Sequence, residues 1–290
     1  FTVPVKPDLV NVDAEKILLA KKQDNKSLNE YVFQFFHAPL YVDRLEAITA
    51  ASARQQDPGA RKVMIAALND KFFRLRMTAI NLIDFKNEAL LKEANPIFAE
   101  LAKNDKSTIV QAAAIEALAR QKNPAYLPVF KQAFTGQSYS VQGAALTGIA
   151  LLDHTEGLRL AKTVEKESKG AARQAVMDIY SGAGGPDEMA FVVKAFDNAS
   201  TSERFQMMES FVMMLGNMND TDAFRSNFKK VTDMIQQYKQ YGIGHQMLPL
   251  LKMLREQKIN KAKESKGLSN QLTAQAEIVS QEIKTIESEK

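Results

Sequence analysis

The sequence predicts an all-α protein: paired helices stacked into an α-α superhelix, with a short β-hairpin in front of them. Three observations carry this. An apolar helical position recurs at Ile48, Ile80, Ile115, Leu146, Met177 and Met208, in steps of 32, 35, 31, 31 and 31 residues. Its neighbours keep step. One position earlier stands Ala47, Ala79, Ala114, Ala145, Val176 or Met207, and three later Ala51, Ile83, Leu118, Ile149, Tyr180 or Phe211. Four positions earlier the residue is always Arg or Gln: Arg44, Arg76, Gln111, Gln142, Arg173, Arg204. A fixed period of this length on a helical face marks a repeat array. One helix pair cannot bury its stripe alone, so neighbours stack into a continuous core and the array curves.

The elements follow in order. Residues 1–20 alternate in part, with a turn at Asp13–Lys16 ahead of Ile17-Leu18-Leu19, which suggests two short strands. A lone hairpin is marginal in water. It is therefore expected either to end a truncated β-sandwich or to cap the first helices. Lys21–Lys26 reads as a polar linker. Ser27 and Glu30 form a capping box for an aromatic-rich helix over 28–38, ended by Pro39. Further helices are expected around Ile48 and over 60–68, 72–83, 88–103, the Ile115 region with Ser107 as its cap, 124–134, 139–152, 155–167, 170–181, 186–199, 201–215, 220–241 and 245–257. Pro58, Pro124 and Pro186 sit near helix starts, where a missing N–H does no harm. Pro96 lies inside its helix and predicts a kink. Lys258–Lys266 reads as a charged stretch. Residues 268–290 place Leu268, Leu272, Val279, Ile283 and Ile286 on one stripe, an amphipathic helix that either docks on its own domain or binds a partner. The expected organisation is 1–22, sandwich remnant and linker; 23–260, helical repeats; 261–290, terminal helix.

Composition narrows the function classes. The 38 basic and 34 acidic residues leave a net charge of +4, too little without a clustered basic face to argue for nucleic acid. There are no cysteines, which removes disulfides and cysteine-based metal sites and leaves the compartment open. No apolar run approaches the roughly 20 residues of a membrane helix, and there is no signal peptide. The chain begins at Phe1, so it is expected to be a piece of something longer, and a missing signal says nothing of the parent.

Reaction chemistry is hard to find. His37, His154 and His245 lack partners at zinc-ligand spacing, and HExxH is absent. Ser181–Pro186 is glycine-rich but lacks the Lys-Ser/Thr of a phosphate loop, so it reads as a linker. Met207, Met208, Met213, Met214 and Met218 recur at helical spacing, which fits core packing better than a soft-metal or promiscuous surface. The Arg/Gln column has two readings. Asp70, Asp105, Glu167 and Asn198 lie six residues before Arg76, Gln111, Arg173 and Arg204, so the column can be a ladder of charge-assisted hydrogen bonds between turns and repeats. Alternatively it is a row on the concave face that grips a ligand carboxylate. No catalytic and no metal-binding residue is assigned.

The second-helix pattern resembles HEAT and armadillo-like repeats, as in Leu75-Arg76…Ala79…Leu82-Ile83, Val110-Gln111…Ala114…Ala117-Leu118 and Val141-Gln142…Ala145…Gly148-Ile149. The stretch KPDLVNVDAEKILLAKKQDNKSLNEYVFQFFHAPLYVDRLEAI resembles the junction in bacterial M1-family zinc aminopeptidases, particularly those of Bacteroidetes. In that family a zinc-bearing domain and a small β-sandwich precede a C-terminal helical array. The resemblance implies that this chain is that array, non-catalytic, capping the active site and shaping peptide access. Its partners would be the parent's own catalytic and sandwich domains and the peptide substrate, with no nucleic acid and no membrane. Zinc is expected only in the missing domain, and for the parent an exported location. The family's HExxH, downstream glutamate and exopeptidase motif have no match here. The alternative is a free-standing HEAT-type scaffold for a protein partner.

Overall fold

In a computed structural model, which describes residues 2–19, 24–183 and 185–288, helix accounts for nearly every element. Fifteen α-helices are present among those residues. In chain order they are α1 (Leu28–His37), α2 (Tyr41–Ser52), α3 (Pro58–Ala67), α4 (Phe73–Leu82), α5 (Glu88–Asn104), α6 (Thr108–Ala119), α7 (Leu127–Phe134), α8 (Tyr139–Leu152), α9 (His154–Val164), α10 (Gly170–Ala183), α11 (Pro186–Asn198), α12 (Thr201–Asn217), α13 (Thr221–Gln237), α14 (Ile243–Glu264) and α15 (Ser269–Ser288). Short 3₁₀ turns precede α7 (Pro124–Tyr126) and α14 (Lys239–Tyr241).

The chain divides into two compact units. The first runs to Gly157 and includes Lys169–Ala172. Its helices lie in two layers: α1, α3, α5 and α7 touch in succession, as do α2, α4, α6 and α8, and within each consecutive pair the two helices also pack together. Small residues set the spacing of the second layer. Ala114, Ala145 and Ala79 are fully buried beside the equally buried Ile115, Leu146 and Ile80. Gly143 shows how close the approach is, because a Cβ there would stand 2.5 Å from the carbonyl oxygen of Ala171. A buried stripe of this kind gains roughly 25 cal/mol per Å² of apolar surface removed from water.

The second unit comprises Leu158–Ser168 and Arg173–Lys290. Its helices are longer: α12 and α13 have 17 residues each, α14 has 22 and α15 has 20. Its core is aromatic and thioether-rich, built on Phe196, Phe211, Phe224, Phe228, Met207, Met208 and Met214. The Phe196 and Phe211 rings stack with centroids 4.0 Å apart. Helix α15 packs along α14 and α13, and Leu272, Val279, Ile283 and Ile286 on its stripe are buried. Docking on its own unit is therefore the position this helix takes.

Three expectations need correction. Among the described residues no strand forms. The 2–19 segment is extended around a turn in which Asp13 and Lys16 take positive φ of 52° and 55°. Strands need a partner ladder, and this segment has none; instead the Asp13 carboxylate accepts from the Ile17 and Leu18 N–H groups. The segment is pinned to α2 through Asp43, which is buried, accepts from Asn11 at 3.1 Å and pairs with Lys16 at 2.6 Å. Second, Ser107 stands at the N-cap of α6 but makes no side-chain capping bond. Asp105 instead accepts from the Ser107 N–H at 2.8 Å, which closes the turn ahead of the helix without capping its first turn. Third, the helix expected over 245–257 does not stop before the charged stretch at 258–266, because α14 continues to Glu264. Ser27 and Glu30 do form their capping box, and Ser200 with Glu203 forms another. Pro96 lies inside α5. Residues 21–23 of the expected linker and Gly184 of the glycine-rich run lie outside the described residues.

Candidate functional site

The most organised polar feature lies at the starts of α2, α4 and α6, in the first unit. Arg44, on the first turns of α2, reaches the turn before α4: its Nε donates to Asp70 Oδ2 at 2.7 Å and its Nη2 to Oδ1 at 3.3 Å. Its Nη1 donates to the Pro39 carbonyl at 2.5 Å. Arg76 repeats the arrangement one step on. Nε and Nη2 donate to the two Asp105 carboxylate oxygens at 2.7 Å each, and Nη1 donates to the Asp70 carbonyl at 2.7 Å. Paired bonds between a planar guanidinium and a carboxylate are among the strongest protein hydrogen bonds. Each aspartate also caps its own turn, since Asp70 accepts from Phe72 N–H at 2.8 Å. Every rung thus joins one repeat's arginine to the next repeat's turn. The Asp105 side chain is 3% exposed and Arg76 13%, so water screens the pair little.

The other members of the column divide. Gln111 donates to the Asp105 carbonyl at 2.8 Å and Gln142 to the Phe134 carbonyl at 3.4 Å. Neutral amides continue the backbone half of the ladder without its ionic half. In the second unit Arg204 donates to the carbonyls of Phe196 and Asp197 at 3.0 and 2.8 Å, and its guanidinium lies 5.7 Å from the Phe196 ring. Arg173 is exposed. The structure brings Arg44, Arg76 and Gln111 into one continuous network. It places the carboxylate partner 26 or 29 residues after the arginine, where the sequence spacing had pointed to the residue six before. For Arg76 and Gln111 the residue six before, Asp70 or Asp105, contributes its backbone carbonyl instead, whereas Arg204 uses Phe196 and Asp197 rather than Asn198.

Beside the rungs runs a groove of about 790 Å³, lined by Asn69–Phe73, Arg76, Glu100, Leu101 and Asn104–Ser107. Its lining includes Phe72, 47% exposed, whose ring lies 5.5 Å from that of Tyr41. The turn sequence Asn-Asp-Lys occurs on both sides of it, at Asn69-Asp70-Lys71 and Asn104-Asp105-Lys106.

A second polar constellation holds the C-terminal end of α12, within the second unit. Lys258 is fully buried, donates to the Met218 carbonyl, and stands 4.8 Å over the Phe224 ring. Lys261 donates to Asn217 Oδ1 at 2.6 Å and to the Gly216 carbonyl at 3.1 Å, and the buried Gln275 donates to the Asn219 carbonyl at 2.8 Å. Cations at a helix C-terminus meet the negative end of its dipole. Burial, then the neighbouring Lys261, pushes the Lys258 ammonium down to about 7. Sequence reading missed this lysine. The available signal was the spacing of Leu251, Leu254, Lys258 and Ala262, all on one buried stripe.

Among the described residues no group of three or more His, Asp or Glu is placed to hold a metal ion, and no helix is long and apolar enough to cross a membrane. His37 stacks on Phe33 with ring centroids 3.8 Å apart. Both sets of polar contacts are made within the chain, tying helix ends to neighbouring turns and carbonyls. No protein-family model matches the sequence, and no curated protein matches it.

Proposed function

We propose that this chain is a non-catalytic helical-repeat module, an α-α superhelix of the HEAT/armadillo kind, and that it serves as the C-terminal domain of an M1-type zinc aminopeptidase. In that role it caps the active site of the catalytic domain and shapes peptide access to it. The observation that supports the reading best is the period itself. The six reference side chains are buried, and in the first unit the helices that carry them stack in one layer, tied by the Arg44–Asp70 and Arg76–Asp105 rungs. Such an array is a rigid surface, suited to positioning. The 2–19 segment, clasped to α2 through Asp43, is where a preceding β-sandwich would join.

The test is the coding sequence that precedes Phe1. An HExxH roughly two to three hundred residues upstream is expected, the span of a sandwich and half a catalytic domain. Its absence from the full-length gene sinks the aminopeptidase assignment. Purified chain with added zinc is expected to leave an aminoacyl chromogenic substrate intact, and zinc-dependent turnover would overturn the non-catalytic role. A second reading, a free-standing scaffold, is favoured by the exposed apolar side chains at successive helix starts: Leu40, Val42, Phe72, Ile109 and Tyr139 are each between 38% and 47% exposed.

A further inference from the structure

We draw no further inference here: the strongest candidate, the cleft of about 320 Å³ that α10 and α12 form in the second unit, rests on two exposed carboxylates, Asp178 and Glu209, and nothing in the structure shows what would occupy it.

Discussion

The two units solve the same problem differently. In the first, small residues bring helices close and ionic rungs lock each start to the next: Ala79, Ala114 and Ala145 are buried at the contact, and Arg44 and Arg76 carry the ties. In the second, Phe and Met fill the core, and the ties are isolated polar groups reaching backbone carbonyls, such as Lys258 to Met218 and Arg204 to Phe196. Close-packed small residues admit one geometry, whereas thioethers adapt to irregular gaps. The difference teaches that a repeat can persist in its apolar positions while its polar hardware changes.

The largest expected effect comes from Lys258. Its ammonium is held near 7 in the folded chain and takes the ordinary value of 10.5 when unfolded. Between those limits the unfolded chain binds more protons than the folded one, so stability rises with pH across that window. A fully expressed shift corresponds to about 5 kcal/mol. Denaturation at a series of pH values is expected to show the rise, with Lys258→Met flattening it. A flat wild-type profile would show that the lysine keeps its proton with no penalty.

The rungs come next. Asp105→Ala leaves the Arg76 guanidinium without its carboxylate in a poorly solvated place, and a loss of about 3 kcal/mol is expected. Asp197→Ala is the matched change in the second unit. There the arginine uses backbone carbonyls, and Asp197 pairs with the part-exposed Lys230, so under about 0.5 kcal/mol is expected. Equal losses in chemical denaturation would erase the contrast between the units. Packing gives the smallest contrast. Ala114→Leu is expected to cost about 2 kcal/mol through overpacking, and Met214→Leu less than about 1.5 kcal/mol. Both residues are fully buried, so the two melting curves compare one small-residue site with one thioether site directly.

Much of the apolar framework was legible because it is local. A buried side chain every turn of helix leaves a mark that spacing alone reveals, and all six reference positions from Ile48 to Met208 are buried. The capping box at Ser27 is equally local, closed within three residues. The rungs were only half legible. Sequence showed the arginines and the acidic turns, but a carboxylate 29 residues away is chosen by how helices stack, which no local pattern records. Lys258 left a local mark, its place on the Leu251, Leu254 and Ala262 stripe, but its charge argues for solvent and only the enclosing helices decide its burial.

By itself, the sequence determined that the chain is helical, where most helices begin, and which face of each turns inward, because 3.6-residue periodicity and caps act within a few residues. The tertiary structure alone decided that the leading segment stays extended without strands, that α15 lies against α14 and α13, and that Asp70 and Asp105 serve the arginine of the preceding repeat. The physical reason is range. Helix formation and capping are settled between near neighbours, while strand pairing, ion pairing across repeats and the burial of a charge depend on which distant surfaces meet.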